Sequence, residues 1–138
     1  LAMAVLLLGG MLIFPVTTGV LKGMGRRAAL SPENPLGGLA MQVAFTVPLG
    51  LLVALAAAGH RREWFFPACM LIVGAHYLPF VFLYGMRTYA LLAALMCGGG
   101  IALALYGPPA FTLGGWLTGG VLVAFAIVLR AVSVERAG

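Results

Sequence analysis

Five apolar runs, at about residues 1–21, 36–58, 64–86, 88–106 and 111–129, fill the chain, and all eleven charged residues fall between the runs or at their ends. A helix that crosses a bilayer needs about 20 mostly apolar residues, because each adds only about 1.5 Å of rise. Each run meets that length. Barrel strands of about 10 residues with strict alternation have no counterpart here. The pattern therefore predicts an all-α, polytopic transmembrane bundle with five visible spans, forming a single integral membrane domain over residues 1–138.

Punctuation between the runs agrees with that division. The 22–35 connection, KGMGRRAALSPENP, is the longest and most polar. Ser31 before Pro32 and Asn34 before Pro35 each offer an N-cap with proline at the first helical position, so span two is expected to begin there. Gly59 followed by His60, Arg61 and Arg62 suits its C-terminus, and Gly107-Pro108-Pro109 predicts a tight reversal between spans four and five. Pro15, Pro48 and Pro79 lie inside spans and are expected to kink them. The first run starts at Leu1 with no cationic flank and no cleavage site, which reads as a fragment lacking its start and an earlier span.

Composition supports a lipid solvent: 63% of residues are hydrophobic and 8% charged, against about 25% charged in soluble domains. The net charge of +5 carries topology rather than nucleic-acid binding, since no basic face gathers it. Lys22, Arg26, Arg27, Arg87, Arg130 and Arg136 fall on one side of the five-span arrangement, and Arg61 and Arg62 on the other. Six cations against two place the C-terminus and the 22–35 connection in the cytoplasm. Glu33 and Arg87 both belong to that cytoplasmic edge and form a candidate ion pair.

Polarity inside the spans is sparse and uneven. At about 100° per helical residue, Arg87, Phe80, Tyr84 and Tyr77 fall within roughly 100° of His76 on one face of span three. Counted at 1.5 Å per residue, His76 and Thr46 are each about 15 Å deep from the same edge, with Gln42 at about 9 Å. Gln42, Thr46, His76, Tyr77 and Tyr84 thus form a candidate polar pocket open to the cytoplasm, with His76 as its proton-sensitive or ligand-binding group. The competing reading makes Gln42, Thr46, His76 and Tyr77 interhelical hydrogen-bond partners, each contributing about 0.6 kcal/mol to packing.

Catalysis has little to build on. The chain has no Asp, its three Glu are peripheral, and no Ser–His couple or HExxH sequence is present. Cys69 and Cys97 sit inside apolar runs without nearby His or acid pairs, so neither a metal site nor a disulfide is expected. No cofactor is implied.

The stretches GGMLIFP (9–15), LSPENPL (30–36), GLAMQVAFTVPLG (38–50) and GAHYLPFVFLYGM (74–86) resemble a family of small uncharacterised bacterial polytopic membrane proteins, a domain of unknown function. That resemblance implies a multi-pass protein of the bacterial inner (cytoplasmic) membrane with about six spans, and it transfers no functional residue. Two functions follow as expectations. The first is a small-molecule transporter or binder with a cytoplasm-facing pocket around His76, its partners being the lipid bilayer and a small ligand, not nucleic acid. The alternative is a non-catalytic packing or assembly component.

Overall fold

The computed structural model describes residues 2–25 and 35–135, and these form helices joined by short connections, with no strand among them. Lipid offers the backbone no hydrogen-bond partner, so a spanning segment closes its own N–H and C=O groups as a helix. The elements are α1 (Ala2–Gly23), α2 (Gly37–His60), a 3-10 turn (Arg62–Trp64), α3 (Phe65–Tyr77), α4 (Phe80–Leu83), α5 (Thr88–Tyr106) and α6 (Phe111–Glu135). Four spans are long and apolar enough to cross a membrane: Gly37–His60, Arg62–Leu83, Thr88–Tyr106 and Phe111–Arg130. Counted as one bent span, α1, whose halves Met3–Ile13 and Pro15–Gly23 meet at 44°, brings the number to five. The protein is an integral membrane protein with multiple spans.

The structure differs from the sequence reading in three places. Helix α2 begins at Gly37, after a turn at Pro35 and Leu36, rather than at the Ser31 or Asn34 caps, which lie outside the described residues. It then runs through Pro48 as one uninterrupted helix. The third span ends at Leu83, not near residue 86. Pro79 has no N–H to donate, and the Leu78 amide reaches back to the Ala75 carbonyl at 3.2 Å, tightening the turn that separates α3 from α4. Gly85 then takes a left-handed φ of +64°, which glycine adopts without Cβ strain, and the chain leaves the helix.

Helix α3 is the hub. It packs against α2 on one side and α5 on the other, while α6 lies against α3 and α5. Helix α1 makes its main contacts with α2. One buried cluster joins Leu51, Ala54 and Ala58 of α2 to Phe65, Phe66 and Cys69 of α3; a second joins Met70 to Leu92 and Met96 of α5 and Phe125 of α6.

Close approach, rather than water exclusion, holds such a bundle together in lipid. At Gly115 a Cβ would sit 2.9 Å from Cζ of Phe66, so the missing side chain is the notch that receives that ring. At Gly100 it would sit 2.8 Å from the Pro67 carbonyl oxygen, where α5 touches the backbone of α3. Both cysteines are free thiols, and Cys97 Sγ donates weakly to the Leu71 carbonyl at 3.7 Å.

Candidate functional site

The antiparallel hairpin of α2 and α3 brings the second turn of one beside the last turn of the other. His76 Nδ1 lies 2.8 Å from the Val43 carbonyl oxygen. A carbonyl only accepts, so that contact requires the proton on Nδ1 and leaves Nε2 as the acceptor of the neutral ring. Thr46 Oγ1 donates to the same carbonyl at 2.7 Å and lies 3.4 Å from His76 Nδ1. Two side chains, one from each helix, therefore converge on a single backbone acceptor.

Around the imidazole the structure builds a group of aromatic rings. Phe80 lies edge-on to His76 with centroids 4.9 Å apart, and Tyr77 does the same at 5.8 Å. Tyr89 of α5 stacks on Tyr77 at 6.0 Å and an interplanar angle of 14°. Tyr84, in the connection, packs on Phe80 at 5.4 Å and on Tyr89 at 5.8 Å. The rings tie the end of α3, α4, the connection and the start of α5 into one unit.

Of the residues singled out from the sequence, Thr46, His76, Tyr77 and Tyr84 are thus brought together. Gln42 is exposed one turn before Thr46 and takes no part in that network. Arg87 is not on the His76 face: with the helix ended at Leu83, it occupies the N-cap position of α5, exposed. Glu33 lies outside the described residues, and with it the proposed pair to Arg87. Pro15 marks the bend of α1 and Pro79 the break after α3, whereas α2 continues through Pro48.

Two participants escaped the sequence reading. Tyr89 was within reach of inference, because the short connection after Leu83 forces the start of α5 beside the end of α4. The Val43 carbonyl was not, since every residue carries one and only the packing selects it. The hydroxyl Oγ1 of Thr88 is buried without a hydrogen-bond partner among the described residues.

A different feature occupies the opposite end of the bundle. There a cavity of about 240 Å³ opens between the 3-10 turn and the α5–α6 connection, lined among others by Arg61, Glu63, Trp64, Ala104, Leu105 and Pro108. Arg61 Nε contacts Glu63 Oε1 at 3.1 Å, and the Arg61 guanidinium sits 5.5 Å from the Trp64 ring centroid. Among the described residues no group of three His, Cys, Asp or Glu is arranged to hold a metal ion.

Comparison with known proteins gives one family. The model described as "Family of unknown function (DUF7010)" matches residues 1–132 of the chain. No curated protein matches the chain, and no solved structure does.

Proposed function

The chain belongs to this family of unknown function, and we propose that it is a non-catalytic membrane component whose in-span polar residues serve helix assembly. The observation that carries this reading is the 2.8 Å contact of His76 Nδ1 with the Val43 carbonyl. It uses the one ring proton of a neutral imidazole to join α3 to α2. The Thr46 hydroxyl is spent on the same acceptor, and the Tyr77 and Phe80 rings pack edge-on against the imidazole.

His76→Ala is expected to destabilise the protein by about 2 kcal/mol. The lost interhelical hydrogen bond accounts for about 0.6–1.7 kcal/mol of this, and the lost ring contacts for about 0.5–1.5 kcal/mol. Thermal unfolding in detergent or nanodiscs should show a melting point several degrees lower. His76→Gln, which keeps an N–H donor, should recover part of it. An unchanged melting point for His76→Ala would remove the assembly reading.

A small-ligand binder or transporter opening toward the cytoplasm is the second reading. It is favoured by the exposure of Gln42 and Tyr84 at the same end as His76. Under it, Gln42→Ala abolishes ligand-dependent stabilisation at unchanged intrinsic stability. We also propose a bacterial cytoplasmic membrane as its location. The side carrying Lys22, Arg87 and Arg130 then faces inward, as the excess of cations over the Arg61–Arg62 side supports.

A further inference from the structure

We propose that the cavity between the 3-10 turn and the end of α5 binds an aminophosphate headgroup, a primary ammonium two carbons from a phosphate, its ammonium held by Glu63 and two free α5 carbonyls and its phosphate by Arg61 and Arg62. The proposal is independent of the role of His76, which sits at the other end of the bundle.

Its location comes first. One span starts at Arg62 and another ends at Tyr106, so the cavity lies where hydrocarbon gives way to headgroups. Trp64 lines it, and Tyr106, 85% exposed, stands beside it. Such aromatics favour that depth in a bilayer.

The acceptors follow from two prolines. In an α-helix the carbonyl of each residue accepts from the amide four residues on. The Leu103 carbonyl is met by the Gly107 amide at 3.0 Å. The carbonyls of Ala104 and Leu105 would look to Pro108 and Pro109, which carry no N–H. Both residues line the cavity, at the negative end of a 19-residue helix. The Glu63 carboxylate adds a formal negative charge to the cavity lining, its side chain 29% exposed.

The counter-charges are as close. The Arg61 guanidinium is fixed between Glu63 and the face of Trp64. Arg62 lines an adjoining depression together with Glu63, Pro109 and Phe111. A simple cation would meet the Arg61 guanidinium here and that of Arg62 in the adjoining depression, and a simple anion would meet a carboxylate and the carbonyl end of a helix. A zwitterion satisfies both sets of groups, its ammonium on Glu63 and the carbonyls and its phosphate on the arginines. The free carbonyls also set a preference. A primary ammonium has three N–H donors for the two carbonyls and Glu63, whereas a trimethylammonium has none.

The test is the melting temperature of the intact protein in nanodiscs that differ only in headgroup: phosphatidylethanolamine, its N-methyl and N,N-dimethyl derivatives, and phosphatidylcholine. Stabilisation is expected to be largest for the primary amine, by several degrees over the choline lipid, and to fall stepwise with each methyl. Glu63→Gln and Arg62→Gln should each remove most of that difference, while Phe82→Ala, on the lipid-facing surface, should keep it. If Glu63→Gln does not fold, Arg62→Gln alone decides. Soluble phosphoethanolamine added to detergent-purified protein distinguishes the sources: stabilisation by millimolar headgroup assigns a soluble ligand, and stabilisation by the lipid alone assigns the bilayer. Equal melting temperatures across the methylation series, or a difference that survives both Gln variants, would overturn the proposal.

Discussion

Gly100→Val is expected to prevent α5 from seating against α3 and to leave little folded, monodisperse protein in detergent. Even the first added carbon would meet the Pro67 carbonyl oxygen at 2.8 Å, Met70 Cβ at 3.1 Å and Leu71 Cγ at 3.3 Å. The first of these is backbone and cannot rotate away. Alanine alone should cost about 1–3 kcal/mol by overpacking, and valine adds two γ-carbons in the same space. Gly98, two residues earlier on α5, meets nothing within 4 Å. Gly98→Ala should therefore gain up to about 1 kcal/mol from helix propensity, and Gly98→Val should fold. Size-exclusion profiles and melting temperatures of the matched pair decide the matter. Equal behaviour of Gly98→Val and Gly100→Val would show that α3 and α5 do not meet as described.

The second large effect is expected at Phe65, whose relative exposure is 0%. Its ring lies 5.2 Å from that of Phe66, edge to face, and 6.2 Å from that of Phe111 in a stacked arrangement. Core Phe→Ala changes in soluble proteins cost about 3–5 kcal/mol. In lipid the transfer part of that figure shrinks, because a ring released from the bundle still sits in hydrocarbon. The lost dispersion contacts and the cavity remain. The expected destabilisation is therefore about 3 kcal/mol, at the low end of the soluble range. Phe82→Ala, at a ring 86% exposed, should change stability by less than about 0.5 kcal/mol. A reversible unfolding titration of the two variants beside the parent protein measures both. Comparable values would mean that the cluster around Phe65 does not hold α2, α3 and α6 together.

The span pattern was legible because lipid leaves the chain one backbone solution, so hydropathy and length sufficed for α2, α5 and α6. The end of the third span was harder. The run from Phe80 to Met86 is apolar enough to continue a helix, and only Pro79 and Gly85 taken together mark its end. That error carried further, because the angular placement of Arg87 assumed an unbroken helix from His76. Depth fared better than angle: Thr46 and His76, placed at matching depth from residue counts, do meet across α2 and α3. The selected acceptor, the Val43 carbonyl, has no sequence signature. Nor has the cavity at the other end, which is made by connections. There Pro108 and Pro109 were legible as a turn, while their effect on the carbonyls of Ala104 and Leu105 emerges only once α5 is known to run to Tyr106.

The hub position of α3 has a consequence for biogenesis. During synthesis α1 enters the membrane before α2–α6, yet its main neighbour is α2, and many of its large side chains remain uncovered, including Leu8 at 60% and Ile13 at 67% exposed. Neither buried cluster can close before α3 arrives. The second also needs α5 and α6, which supply Leu92, Met96 and Phe125. Assembly is thus centred on α3 and the helices after it, with α1 adding Met3 and Leu6 against the first cluster.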